Sequence, residues 1–194
     1  MSGREPAASR PRGLVVPPGP LGSHPYRVVF VCTGNICRSP MAEVITRSLA
    51  ASTELADGTT LADHLEVRSA GTGPWHEGEP MHPLAQASLA RGGYPDHRHV
   101  AHQIVSAELG DIEFMVALDR RHQQTLRSLG ADPDRLALLR AFDPAAGAAA
   151  DVPDPYYGAS GGFDEVLDLV QAACRGLLAR IRAGGTQPGG LGPV

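Results

Sequence analysis

Apolar positions along this chain follow two rhythms. Short unbroken runs, Val28-Val29-Phe30-Val31, Phe114-Met115-Val116-Ala117-Leu118 and Leu136-Ala137-Leu138-Leu139, are too brief for helices and read as buried strands. Leu65-Glu66-Val67-Arg68-Ser69 alternates instead, as a half-buried strand does. Elsewhere apolar residues recur every three or four positions. Met41, Val44, Ile45 and Leu49 share one helical face behind Pro40, which suits the first position of a helix because its missing N–H costs nothing there. Met81 to Arg91, stopped by Gly92-Gly93, and Arg120 to Leu129 are read as two further helices. The most periodic stretch is the last, with Phe163, Val166, Leu167, Val170, Cys174, Leu177, Leu178 and Ile181 on one stripe ended by Gly184-Gly185. Strand and helix alternate. That order predicts an α/β domain, a four-stranded parallel sheet with helices on both faces and its site in the loops at the carboxyl ends of the strands.

The domain is predicted to span residues 26–182. Residues 1–25 hold six prolines and little apolar content beyond Leu14-Val15-Val16, the composition of a disordered extension. Pro17, Pro18 and Pro20 interrupt the one candidate for a secretory signal core. Residues 183–194, Gly or Pro at most positions, read as a flexible tail. With 194 residues, 42% of them hydrophobic, the chain can bury one good core. A net charge of −4 argues against nucleic acid or a membrane surface as partner, and no apolar run approaches the roughly 18 residues of a membrane span. Three cysteines, two of them in one loop, make no disulfide framework, so a reducing cytoplasm is the expected compartment. No side-chain cluster calls for a metal or a cofactor.

The candidate chemistry follows the first strand. Cys32-Thr33-Gly34-Asn35-Ile36-Cys37-Arg38-Ser39 joins that strand to the first helix through Gly34 and Asn35, residue types that tolerate positive φ. Such a loop turns backbone N–H groups inward and makes an anion cradle with a helix dipole behind it. Phosphate is the expected guest. Arg38 adds a planar fork for two oxygens, and the positive surroundings favour the Cys32 thiolate on the floor of the cradle. A nucleophile beneath a bound phosphoryl group transfers it. The Ser39 hydroxyl either donates to Cys32 or caps the helix. Were the leaving group a phenolate, with a pKa of about 10, a proton donor would be needed, and the residues alone offer Asp143, Asp151 and Asp154.

Cys-x5-Arg-Ser is the phosphate-loop signature of cysteine-dependent protein tyrosine phosphatases. The fuller run Val-Cys-Thr-Gly-Asn-Ile-Cys-Arg-Ser-Pro-Met-Ala-Glu resembles the low-molecular-weight protein tyrosine phosphatase family, especially its bacterial members. The likeness continues through Ser69-Ala70-Gly71-Thr72, Trp75-His76, Val116-Ala117-Leu118-Asp119 and Asp154-Pro155-Tyr156-Tyr157-Gly158, covering residues 26 to 182. It implies a flavodoxin-like fold of the phosphotyrosine phosphatase I type. It also implies metal-independent hydrolysis of protein phosphotyrosine and small aryl phosphates through a cysteinyl-phosphate. By this resemblance Cys32 is the nucleophile, Arg38 holds the phosphate oxygens, and Asp154 is the acid that protonates the tyrosine oxygen. Trp75, Tyr156 and Tyr157 would wall a slot for the phenyl ring, with His76 tuning access. Asn35, Ser69 and His99 match positions that brace the loop in a left-handed turn, although His102 stands where the His-x-Ala-x-Gln motif commonly has Arg. Asp119 matches an acid that supports the arginine or the loop. Cys37 matches a thiol that forms a reversible disulfide with the nucleophile. Tyrosine-phosphorylated proteins and phosphate, or another oxyanion, are the implied partners.

Three other readings compete. Arsenate reductases share the fold and loop but need further downstream cysteines, and only Cys174, on an apolar stripe, is present. Phosphoarginine phosphatases tend to carry Thr where this chain has Ile36, and lack the paired tyrosines. A phosphotyrosine-binding module without activity would need neither Cys32 nor Asp154.

Overall fold

The computed structural model describes residues 25–146, 150–156 and 162–185. The expectations for the N-terminal extension, for the tail beyond residue 185 and for Tyr157 and Gly158 lie outside those residues. β1 (Tyr26–Cys32), β2 (Leu65–Gly71), β3 (Phe114–Ala117) and β4 (Leu136–Leu138) form one parallel sheet in the order β2-β1-β3-β4. The helices are α1 (Arg38–Ala51), α2 (Pro83–Arg91), α3 (Arg120–Ser128) and α4 (Gly162–Gly185).

The pleat of β1 sorts the core. Val28, Phe30 and Cys32 face the larger hydrophobic cluster, which also takes Met41, Ile45 and the whole apolar stripe of α4. Val29 and Val31 face a smaller cluster with Leu126 of α3, Ile104 and Leu109. Both faces of the sheet are therefore covered, which explains why β1 and β3 read as continuous apolar runs. α4 packs close against the short 3-10 turn Leu139–Phe142: a Cβ on Gly176 would stand 1.9 Å from the Phe142 carbonyl oxygen, so only glycine fits.

Several boundaries differ from the periodicity. β1 and β2 are longer than their apolar runs because backbone pairing continues to Cys32↔Gly71. Leu139 leaves β4 for the 3-10 turn. α2 begins at Pro83 rather than Met81, since the His82 ring accepts from the Leu84 N–H and caps it. α1 begins at Arg38, so Pro40 is its third residue, not its first. Its first internal bond is Met41 N–H to the Cys37 carbonyl, so a proline at the third position forfeits no acceptor. Strand order places a topological switch between β1 and β3, where the chain leaves β1 toward β2 on one side and returns at β3 on the other. In open α/β sheets the binding crevice lies outside the carboxyl ends of the strands at such a switch point.

Candidate active site

The loop after β1 is held from outside by its own carbonyls. The Cys32 oxygen accepts from Thr72 N–H (2.8 Å), that of Thr33 from Gly73 N–H (3.1 Å), and that of Ile36 from His82 N–H (2.8 Å). The Asn35 carbonyl meets His99 Nε2 at 2.6 Å, and the Cys37 carbonyl belongs to α1. In a trans peptide the N–H points opposite to the C=O. The amides that follow these carbonyls, on Thr33, Gly34, Ile36, Cys37 and Arg38, therefore face the other way, into the crevice. Among the described residues they donate to no protein acceptor.

Asn35 holds the turn. It is the only non-glycine residue of positive φ (59°) among the described residues and is wholly buried. Its Nδ2 donates to the Ser39 and Ser69 hydroxyls, both at 2.9 Å, and its Oδ1 accepts from the His102 N–H at 2.9 Å. Ser69 in turn donates to Glu43 Oε2 at 2.6 Å. The sequence expectation grouped Asn35, Ser69 and His99, and the structure joins all three. Glu43 was missed, although a carboxylate between Ala42 and Val44, on a helix packed into the core, was a visible signal. His102 serves through its backbone; its exposed ring lies between Glu77 and Glu108.

Cys32 Sγ is 3.0 Å from Ser39 Oγ. That hydroxyl, inside the first turn of α1, also stands 3.2 Å from the Ala70 carbonyl, so its single proton has two acceptors in reach. The helix-capping alternative for Ser39 does not hold, since the residue preceding the helix is Cys37 and no side chain caps it. The Cys37 thiol is buried and pushed up to about 12, by desolvation first and then by its neighbours Cys32 and Asp154. Cys174 is fully buried among the α4 contacts, as its place on the stripe implies.

Arg38 is 3% exposed, and every Nη hydrogen has a protein acceptor. Nη1 donates to Asp119 Oδ2 (3.0 Å) and the Val152 carbonyl (3.3 Å); Nη2 donates to Asp154 Oδ2 (2.6 Å) and Thr33 Oγ1 (3.2 Å). Asp154 is the more exposed of the two carboxylates, and its Oδ1 accepts from the Tyr156 N–H. The other two acids offered by the sequence lie elsewhere: Asp143 pairs with Arg140, and Asp151 with Arg120.

A cavity of about 370 Å³ gathers Cys32, Thr33, Gly34, Ile36, Cys37, Arg38, Trp75, His76, Asp154 and Tyr156. Trp75 is 66% exposed at its rim. His76 does more than border the entrance: its ring lies over Gly34, leaving no room for a Cβ there, and its Nδ1 pairs with Glu79 at 2.7 Å. Its ring centre is 6.0 Å from that of Tyr156, and the His82 ring reaches the same tyrosine at 5.8 Å. Sequence reasoning also missed His82, which stacks on Phe163, and the buried His122 three residues beyond Asp119. The Asp-x-x-His spacing at a helix start was the available signal for His122.

Known proteins of similar sequence and fold fall in one family. Residues 27–187 match the family described as low molecular weight phosphotyrosine protein phosphatase. A low molecular weight protein-tyrosine-phosphatase of Streptomyces coelicolor is 48% identical over 161 residues, 81% of this chain and 94% of its own. Low molecular weight protein-tyrosine phosphatase A of Mycobacterium tuberculosis is 45% identical over 157 residues, 80% and 91% of the two chains. Among solved structures, YfkJ of Bacillus subtilis superposes with a TM-score of 0.74 at 39% identity, covering 84% of this chain and 97% of its own.

Proposed function

The chain belongs to the low molecular weight phosphotyrosine protein phosphatase family, and we propose that it hydrolyses phosphotyrosine in proteins through a phosphorylated Cys32. One observation carries the reading: inward amides and the Arg38 guanidinium share one cavity with the Cys32 sulfur at the switch point of the sheet. The amides and Arg38 bind the phosphoryl oxygens, and their hold strengthens as charge spreads over those oxygens in the transition state. Sγ attacks phosphorus in line. Asp154, released from Arg38 as the substrate phosphate takes Nη2, takes up a proton from solvent and passes it to the departing tyrosine oxygen. As a carboxylate it then accepts a proton from the water that splits the cysteinyl-phosphate, and phosphate leaves.

The walls favour an aryl substrate. Ile36, Trp75 and Tyr156 give the cavity apolar sides for a ring. Burial of Cys174 removes the one further thiol an arsenate relay could use. Three free cysteines suit a reducing cytoplasm, and among the described residues no helix is long and apolar enough to cross a membrane. Cys37 lines the same cavity as Cys32, so oxidation of Cys32 to a sulfenic acid would let the Cys37 thiol form a disulfide with loss of water. Peroxide-treated protein trapped without reductant would then show the pair joined and regain activity with a thiol.

Initial rates on phosphotyrosine, phosphoserine and phosphoarginine peptides, with a chelator present, test the reading. The first should be cleaved fastest, with ³²P from it trapped on Cys32. Preference for another peptide, or no labelled enzyme, would overturn it.

A further inference from the structure

His122 lies in the first turn of α3, 3% exposed, and does not itself line the cavity. It nonetheless belongs to a closed ring of side chains. Nε2 is 2.8 Å from Thr33 Oγ1, which receives Arg38 Nη2 at 3.2 Å; Arg38 Nη1 donates to Asp119 Oδ2 at 3.0 Å; and Asp119 Oδ1 stands 3.0 Å from His122 Nδ1. That last approach is off the line of a hydrogen bond, but among the described residues Asp119 is the only anion Nδ1 meets.

Chemistry chooses the tautomer. A proton on Nε2 would leave a bare Nδ1 lone pair against a carboxylate oxygen. A proton on Nδ1 instead faces the carboxylate and leaves Nε2 to accept the Thr33 hydroxyl proton. The Thr33 oxygen then turns a lone pair to Arg38. From this ring we infer that His122 is a positioning residue: as the neutral Nδ1–H tautomer it orients the Thr33 hydroxyl and so holds the guanidinium of Arg38 square to the bound phosphate. Burial keeps the ring uncharged by pushing its pKa below that of free imidazole, with Asp119 opposing and Arg38 adding to the push; Asp154 and Asp151 are the other charges nearby. A cation there would also crowd Arg38.

The inference rests on Arg38 as the phosphate-binding group. Two measurements test it. Long-range ¹H–¹⁵N spectra of the wild-type protein should show His122 with Nδ1 protonated and Nε2 bare at pH 7; a protonated Nε2 overturns the proposal whatever the activity. Competitive inhibition of p-nitrophenyl phosphate hydrolysis by inorganic phosphate should weaken about 10- to 100-fold in His122→Leu and in Thr33→Val, the loss expected for a hydrogen bond to a charged group. The double variant should lose no more than either single one, and Thr33→Ser should behave as wild type. Additive losses, or unchanged inhibition in Thr33→Val, overturn it. Should His122→Leu fail to fold, Thr33→Val against Thr33→Ser decides alone, because Thr33 is exposed. A wild-type protein that neither turns over nor binds phosphate would instead refute the parent reading and leave the tautomer result standing.

Discussion

The two loops that meet at Arg38 are built in opposite ways. The loop from Cys32 to Arg38 is mostly buried, and its carbonyls are tied to four separate segments, around Thr72, His82, His99 and α1. The segment from Ala150 to Tyr156 is anchored chiefly at buried Val152, whose N–H donates to the Leu118 carbonyl at 2.8 Å and whose own carbonyl meets Arg38. Asp154 and Tyr156 on either side of buried Pro155 are exposed. The difference follows from the two tasks. Groups that stabilise developing charge work best when fixed beforehand, because no reorganisation is then needed at the moment of reaction. A residue that gives a proton to one molecule and takes it from another must reach solvent.

The comparison breaks most sharply at the nucleophile. Cys32→Ser should abolish turnover, on the order of the 10⁶-fold cost of losing a nucleophile, while equilibrium dialysis still finds phosphate bound. Asp154→Ala should slow phenolic substrates about 10²–10⁴-fold and substrates with better leaving groups less, read from kcat across a leaving-group series. Equal losses would give Asp154 some other task. Asn35→Ala removes three side-chain bonds at a left-handed position and should destabilise by about 3 kcal/mol, lowering Tm by roughly 6–12 °C. Asn35→Gly, which accepts the φ but not the bonds, would separate strain from bonding.

Acid should act on the rigid side. Burial lowers the pKa of His99 and His122, so the unfolded chain takes up protons first once the pH falls below about 6.5. Their contribution is complete above that value and is lost as the pH falls toward the folded pKa values; the urea midpoint should drop between pH 7 and 5. For His102 burial is outweighed by Glu108 and Glu77 and the pKa is raised, so its support is present at low pH and fades as pH rises. Replacing it with Gln should steepen the acid drop. The smallest effect belongs to the exposed Arg120–Asp151 pair beside the acid: Arg120→Ala should shift stability by no more than about 1 kcal/mol in urea melts.

Sequence pattern was sufficient for the elements, because burial on both sheet faces and along α4 leaves its period in the side chains themselves, and the nucleophilic thiol, the arginine and the glycine of the phosphate loop lie within eight consecutive residues. It left Asp143, Asp151 and Asp154 equal. Only resemblance to a family preferred the last, and only folding shows it 2.6 Å from Arg38 while the others pair elsewhere. Glu43, His82 and His122 escaped for the same reason. A residue's local pattern records whether it is buried, not what it meets after the chain has crossed the sheet. Which hydroxyl faces which imidazole is decided by strand order and helix placement, and those are properties of the whole fold.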